Sequence, residues 1–159
     1  MIPFQRKRDG IHLGLADHER ALLGDLARQL VGLLDEGDSQ DPALARLLPD
    51  GYAGDDADTR EAAAEFRRLT SDDLSAGKRR NAELLLETLS QDRRTALAPE
   101  ALQAWLRSLT DLRLTLASRL GVTADGYEKA SSDPQILLTR DIYEWLGYLQ
   151  ESLLRALER

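Results

Sequence analysis

Cysteine is absent from this chain of 159 residues, and aromatic and β-branched aliphatic residues are scarce. Without a thiol, the chain can form no disulfide, no thiolate nucleophile, no cysteine-ligated metal site and no cysteine redox switch. It has only two valines and four isoleucines, against 32 leucines and 20 alanines. Leucine and alanine favour helices, whereas β-branched residues favour strands. The composition therefore predicts a mainly helical protein, and the absence of cysteine fits a reducing compartment.

Long apolar runs are also absent, since no stretch approaches the roughly 18–20 residues that a membrane-spanning helix needs. The N-terminus is basic at residues 6–8, but no apolar segment of the kind found in signal peptides follows it. We therefore expect a soluble cytoplasmic protein that does not contact a membrane.

The sequence contains none of the common motifs for catalysis or cofactor binding. It has no glycine-rich phosphate loop and no nucleophile elbow, and its two histidines, His12 and His18, form no metal-binding pair. Residues 50–61 have the length of a calcium-binding EF-hand loop, but Tyr52 and Gly54 occupy the ligand positions. We expect no metal, no cofactor and no enzymatic activity, although carboxylate pairs assembled by folding stay open as acid–base groups.

The net charge of −7 is concentrated in one part of the chain. Residues 35–58 contain eight acidic residues and one basic residue, so this segment carries the whole excess and the remainder is balanced. An acidic total opposes non-specific binding of nucleic acid, whose affinity comes largely from neutralised phosphates. We predict an acidic connecting segment over residues 37–58, in which Asp41 caps a short helix that begins at Pro42.

Residues 1–15 predict a small β-hairpin. Asp9 and Gly10 are a signal for a two-residue turn of type I′, and apolar residues alternate with His12 and a glycine after it. A lone hairpin is marginally stable in water, so it must pack on the helices. Phe4 and Ile11 are the expected anchors.

Apolar residues at spacings of three and four predict the remaining helices. These helices cover residues 17–36, 59–69, 74–90, 99–120 and 140–158. Asp17 is the expected cap of the first, and a break at residues 70–73 separates the third from the fourth. The third turns Ala62, Ala63, Phe66 and Leu69 inward, and residues 121–134 form a polar connection with room for a helical turn. Residues 1–159 thus form one domain, a multi-helix bundle of about five to six helices with a small N-terminal β-hairpin.

Basic residues occur in short clusters that are candidate contacts for a partner or for nucleic acid. The candidates are Arg6, Lys7, Arg8, Arg67, Arg68, Lys78, Arg79 and Arg80, and a further pair follows at residues 93–94. One interpretation is a patch for a nucleic-acid backbone or an acidic protein surface. The other, which we favour, is a set of solvated helix faces neutralised by nearby acidic residues.

Two further features are interpreted as structural. Arg113 lies at the edge of an apolar helix face, where a partly buried guanidinium needs a carboxylate partner, and Glu65 is the candidate. Asp111 is too close along the helix to serve. Trp105 and Trp145 are expected to anchor the core.

Four segments, in order along the chain, resemble one known family. They read DPALARLLPD at residues 41–50, EFRRLT at 65–70, WLRSLTDLRL at 105–114 with RLGV at 119–122, and WLGYLQESL at 145–153. They resemble an actinobacterial family described as a domain of unknown function, which includes oxidative-stress transcriptional regulators of the AosR type and is often encoded beside the Clp protease adaptor. The resemblance spans nearly the whole chain.

The resemblance implies a cytoplasmic regulatory role exerted through a sigma factor, RNA polymerase or a Clp component. The family's proposed sensing chemistry is thiol-based, and it cannot be carried over to a chain without cysteine. We hypothesise a non-enzymatic regulator of transcription or the stress response that acts by protein–protein contact. Direct DNA binding through the arginine clusters and a Clp-linked adaptor role are the alternatives, and leucines outside the main stripes leave a homodimer open.

Overall fold

The computed structural model of the chain describes residues 2–37, 40–48, 57–123, 126–127 and 132–158, and its description omits the side chains of residues 57–60, 63, 64, 66 and 67. The elements are, in order, β1 (Phe4–Lys7), β2 (Gly10–Leu13), α1 (Asp17–Glu36), α2 (Pro42–Leu47), α3 (Ala57–Leu89), α4 (Pro99–Leu120), β3 (Val122–Thr123), β4 (Gly126–Tyr127) and α5 (Pro134–Glu158). The predicted fold class, a mainly helical protein with an N-terminal β-hairpin, is confirmed. None of the described helices combines the length and apolar character that crossing a membrane requires.

Helix α4 lies at the centre of the bundle and contacts each of the other four helices. Its buried face includes Trp105, Leu109 and Leu112, at the helical spacing that the leucine stripe predicted. Trp105 is fully buried, and Phe4 of β1 meets its ring edge-on, with ring centroids 5.3 Å apart. Phe4 and Ile11 are each 2% exposed, which confirms both as anchors of the hairpin.

Helices α1 and α4 begin and end at the predicted residues. Gly121 ends α4 in the left-handed conformation, with φ of 67°, and its N–H group donates to the carbonyl oxygen of Ala117. The cap of α1 differs from the prediction, because Asp17 is already its first helical residue. The backbone N–H of Ala16 donates instead to Oε1 of Glu19 at 2.9 Å, so a side chain inside the first turn satisfies it.

Helix α3 is continuous, and the predicted break at residues 70–73 is wrong. Serine, threonine and aspartate prefer caps, but inside a helix they cost only a few tenths of a kcal/mol each, which packing overrides. Here Ser75 Oγ donates to the carbonyl oxygen of Leu34, where α3 lies against α1. Every residue from 61 to 70 whose exposure is described is exposed. Leu69, at 60% exposed, and Ala62 therefore do not face inward. Ala63 and Phe66 lie outside the described side chains.

The turn of the N-terminal hairpin is displaced by one residue from the prediction. Lys7 pairs with Gly10, so the two turn residues are Arg8 and Asp9, and neither has the positive φ of a type I′ turn. His12 is buried rather than outward-facing, at 4% exposed. Its Nε2 lies 2.7 Å from Oδ1 of Asp9, and this hydrogen bond lowers the pKa of that carboxyl.

The connection before α5 is also different from the prediction. Val122 pairs with Tyr127 and Thr123 pairs with Gly126, so the described part of this connection is a short antiparallel ladder rather than a helical turn. Helix α5 begins at Pro134, six residues earlier than predicted, and the backbone N–H of Gln135 donates to Oδ1 of Asp133. An aspartate followed by a first-turn proline is a helix start, and the sequence analysis passed over it.

Asp41 joins α2 to the end of α4, and its predicted role as a cap is confirmed. Its Oδ1 accepts a hydrogen bond from the backbone N–H of Ala43, and its two carboxylate oxygens accept from Nη1 and Nη2 of Arg119 at 2.7 and 3.0 Å. These hydrogen bonds hold the pKa of Asp41 below its ordinary value, with the Arg119 bond the larger cause. The rest of the predicted acidic segment, at residues 38–39 and 49–56, lies outside the described residues.

We expect Asp41→Ala to lower the free energy of unfolding, because it removes a helix cap and a bidentate ion pair. Asp41→Asn keeps the cap and loses the charge, so its effect should be smaller. Because the pKa is lowered by folding, the charge stabilises the protein above pH ~4 and this contribution is lost as the pH falls further. Urea unfolding of the three proteins at neutral pH and at pH ~3 measures both effects; equal losses in the two variants at neutral pH would contradict the assignment to the cap.

Candidate functional site

A groove opens on the surface where α3, α4 and α5 meet, and we call it the α3–α4–α5 groove. Its volume is about 480 Å³, within the range of ligand-binding clefts in proteins. Leu74 of α3 and Leu154 of α5 are 39% and 47% exposed and line it together with Leu106 of α4. Its polar lining comprises Asp73, Lys78, Asn81, Arg107, Thr110, Asp111 and Gln150.

A buried ion pair joins α3 to α4 at this groove. Nζ of Lys78 donates to Oδ1 of Asp111 at 2.6 Å, and the two side chains are 18% and 3% exposed. The second carboxylate oxygen of Asp111, Oδ2, is buried and accepts no hydrogen bond from the described residues. Burial raises the pKa of Asp111, and the hydrogen bond and positive charge of Lys78 offset this rise only in part.

Neighbouring polar side chains tie α4 to α5 beside the groove. Nε2 of Gln150 donates to Oγ1 of Thr110 at 2.6 Å, and Nη1 of Arg113 donates to Oε1 of Gln150 at 3.3 Å. The guanidinium carbon of Arg113 also lies 4.6 Å from the centre of the Tyr143 ring, close enough for a cation–π contact. These bonds hold one wall of the groove in place.

The candidate pair of Glu65 and Arg113 is not formed. Glu65 is exposed and lies 3.8 Å from Arg68 on the same helix, in the half of α3 that leaves the core. Arg113 is stabilised by an amide oxygen and an aromatic ring rather than by a carboxylate. The expectation failed because it treated a partly buried arginine as needing an acid, whereas Arg113 contacts a neutral acceptor and a π face, and its buried Nε donates to no described residue.

The N-terminal basic cluster is only partly available to a partner. Nε of Arg6 donates to the carbonyl oxygen of Ala156 near the end of α5, at 2.9 Å. Lys7 and Arg8 are exposed at the hairpin turn. The cluster therefore supplies two exposed charges, and its third member helps to fasten the hairpin to α5.

The cluster at residues 78–80 is divided among three directions around α3. Lys78 turns into the α3–α4–α5 groove, whereas Arg79 donates to Oδ1 of Asp35 at 2.7 Å and to Oε1 of Glu83 at 2.9 Å. These acids raise the pKa of Arg79. Arg80 is exposed, and its side chain forms no hydrogen bond or ion pair with the described residues.

The remaining basic candidates lie in two further places. Arg68 pairs loosely with Glu65, and the side chain of Arg67 lies outside the described part of the chain. Arg93 forms an ion pair with Asp17, and Arg94 lies 3.4 Å from Asp92. Among the described side chains, the clusters are mostly paired with acids and do not combine into one free basic patch.

The sequence analysis missed Asp111 as a site residue and dismissed it as a partner for Arg113. Its signal was present in the spacing, because Ala104, Ser108 and Asp111 follow one another at intervals of four and three along the buried face of α4. A charged residue on such a face requires a partner from another element. Its position predicted the need for a partner, but the choice of Lys78, 33 residues away, required the fold.

No group of three or more potential metal-ligating side chains occurs within the described residues. Hydrogen-bonding groups and apolar walls line the α3–α4–α5 groove. Such a lining suits recognition of a ligand or of a protein side chain.

Comparison with known proteins identifies the family. A family model described as a domain of unknown function (DUF2017) matches residues 1–157. The chain belongs to this family. Its curated relatives include the oxidative stress regulators AosR of Mycobacterium bovis and Mycobacterium tuberculosis, each 32% identical over 183 aligned residues that cover 94% of this chain and 84% of the relative.

A Mycobacterium leprae relative whose name also contains AosR is 33% identical over 174 aligned residues, covering 90% of this chain and 80% of the relative. No solved structure matches the fold. The resemblance to this family of stress regulators is thereby confirmed.

Proposed function

We propose that this chain is a non-enzymatic stress-response regulator that acts by contacting a protein of the transcription machinery, a sigma factor or RNA polymerase. The observation that carries the proposal is the identity of 32% to the oxidative stress regulators AosR, which extends over 94% of the chain. Because the similarity extends over 94% of the chain, it supports a role shared by the whole fold rather than by one short motif.

The surface supports contact with a protein more than contact with nucleic acid. Binding to a phosphate backbone draws its affinity from free lysine and arginine side chains. Most described members of the basic clusters are instead bound to acids or to backbone oxygens, as Arg79, Arg93 and Arg6 illustrate. Leu74 and Leu154, both exposed, line the α3–α4–α5 groove and offer apolar surface that a protein partner would cover.

The test is direct binding between purified proteins. The immobilised chain is incubated with nuclease-treated RNA polymerase, with each sigma factor of the source organism, and with its Clp adaptor and protease. We expect saturable binding of a sigma factor or of the polymerase, together with a change in transcription in vitro when the chain is added.

The other partners define the outcomes that overturn the proposal. Binding to Clp components alone would replace it with an adaptor role. Binding to a DNA fragment with an affinity that falls steeply with salt would replace it with direct DNA recognition. Failure to bind any protein of the transcription machinery would contradict it.

A further inference from the structure

We propose that the α3–α4–α5 groove holds an arginine side chain of a partner protein, presented on a helix whose neighbouring aliphatic side chains pack on Leu74 and Leu154. The inference rests on the proposed function, since it supplies a surface through which a protein partner is contacted. The partner contributes a guanidinium group that lies between two apolar side chains.

The apolar part of the groove is formed by helices that pack together below it. Leu74 and Leu154 lie on α3 and α5, and both keep more than a third of their surface exposed to water. Covering them with aliphatic side chains is favourable because apolar surface is removed from water. A polar floor between two such leucines then determines which side chain fits between them.

Asp111 lines the floor of the groove, and its Oδ2 is an acceptor that a partner's donor reaches when the side chains covering it move aside. The side chain of Asp111 is only 3% exposed, and Lys78 donates a hydrogen bond to its Oδ1 alone. Oδ2 accepts no hydrogen bond from any described residue. A carboxylate accepts hydrogen bonds on both oxygens, so the site is incomplete without a further N–H or O–H group.

Arginine meets these requirements better than the other side chains. Its aliphatic stem packs along apolar walls while its guanidinium supplies several N–H donors at the far end. Asp73 lies at the edge of the same groove, and its side chain has no hydrogen-bond or ion-pair partner among the described residues. Asp73 and Asp111 together balance the positive charges of Lys78 and Arg107, which line the same groove.

A second cleft of about 480 Å³ between α3 and α4 adjoins the groove, and Asn81 and Arg107 line both. In the second cleft, the negative charges of Glu87 and Glu100 balance the positive charges of Arg80 and Arg107. Two adjoining clefts along packed helices favour an amphipathic helix, which places side chains in both.

The test uses a labelled peptide and the purified full chain. The probe is an alanine-based helical peptide of roughly 15 residues, because shorter isolated helices are marginal in water, with one arginine between two leucines on the same face. A matched probe carries glutamine in place of the arginine, and agmatine serves as a free guanidine. Fluorescence anisotropy gives the dissociation constants, with agmatine measured by competition.

We expect the arginine peptide to bind about tenfold more tightly than the glutamine peptide, as charge-assisted hydrogen bonds at a buried site would give. Leu154→Ala and Gly77→Leu should each weaken binding by about tenfold. Gly77 lines the groove and a Cβ built there meets no atom within 4 Å, so the helix has space for a side chain at this position. Asp111→Asn, which puts an N–H group in place of one carboxylate oxygen, should remove the preference for arginine over glutamine.

Leu138→Ala is the matched control, because Leu138 is 60% exposed on α5 but does not line the groove. Equal affinity of the arginine and glutamine peptides, or equal losses in Leu138→Ala and Leu154→Ala, would overturn the proposal. If the dissociation constant of agmatine equals that of the arginine peptide, the groove binds a free small molecule instead of a partner protein. If the arginine peptide binds but no transcription protein is captured, only the proposed function is refuted. If Gly77→Leu still captures the transcription protein, only the assignment of the groove as the contact surface is refuted.

Discussion

Lys78→Met is expected to lower the free energy of unfolding by about 3–5 kcal/mol at neutral pH. Removing one partner of a buried ion pair leaves the other charge uncompensated, and this is among the most destabilising single changes in proteins. Asp111 is 3% exposed, so without Lys78 it is either a buried, uncompensated charge or an acid that must bind a proton for the chain to fold, and both cost stability at neutral pH. The loss is a large share of the 5–15 kcal/mol that typically stabilises a domain, so urea unfolding followed by circular dichroism will resolve it.

The effect of Lys78→Met should depend on pH in a defined direction. Burial raises the pKa of Asp111, so between the unfolded value near 3.8 and the folded value the folded protein binds more protons than the unfolded chain. Stability from this group therefore falls as the pH rises through that window. Both effects that lower this pKa, a hydrogen bond and a positive charge, come from Lys78. Removing Lys78 therefore raises the folded-state pKa further and widens the pH range over which stability falls. The destabilisation of the variant should accordingly be largest at neutral pH and shrink on acidification.

Two further variants separate the ion pair from packing. Lys78→Met combined with Asp111→Leu removes both charges and should recover most of the lost stability, because apolar side chains often replace a buried pair without loss. Arg80→Met alters an exposed neighbour on the same helix and should change stability by less than about 0.5 kcal/mol. If the double variant is no more stable than Lys78→Met alone, the loss does not come from an uncompensated charge.

Trp105→Ala should cost about 3–5 kcal/mol, because it leaves a cavity at the centre of the bundle. The indole is fully buried, its Nε1 donates to Oγ1 of Thr88 at 2.7 Å, and Phe4 of the hairpin packs against its ring. Trp105→Phe keeps most of the volume and loses the hydrogen bond, so a smaller loss of about 1–2 kcal/mol is expected. Thermal unfolding of the two variants measures the difference.

Trp145 provides the comparison for this prediction. The sequence analysis assigned both tryptophans to the core, and Trp145 packs against it while remaining only partly buried. Trp145→Ala should therefore destabilise the protein less than Trp105→Ala. Folding buries less of the apolar surface of Trp145, so its removal forfeits less of the free energy gained by burial. Equal losses in the two alanine variants would show that burial of Trp105 against the hairpin is not what makes it central.

The accuracy of the sequence analysis varied with the kind of signal available. α1 and α4 were predicted to the residue because a leucine stripe was bounded by residues that start or stop helices, such as Pro99 and Gly121. In α3, the Thr-Ser-Asp-Asp run imitated a cap, and only the packing of Ser75 against α1 reveals that the helix continues. Propensities of a few tenths of a kcal/mol per residue are too small to settle such a boundary.

In the candidate site, too, residue types were visible in the sequence, whereas their partners were decided by packing. Basic clusters were visible in the sequence, but whether each charge was free depended on acids far away along the chain, as with Arg79 and Asp35. Asp111 was considered only as a partner for Arg113, because its own partner, Lys78, is on another helix. The groove itself exists only where three helices converge.

Composition and local periodicity, which act over a few residues, are enough to predict the helical class, the leucine stripes that build the core and the absence of thiol chemistry. The resemblance to a family that includes stress regulators rests instead on the four segments at residues 41–50, 65–70, 105–122 and 145–153. The tertiary structure decided the continuity of α3, the pairing of the arginines, and the meeting of Lys78, Asp111, Leu74 and Leu154 in one groove. Such contacts depend on how the helices pack, because burial and charge pairing are properties of surfaces brought together by folding.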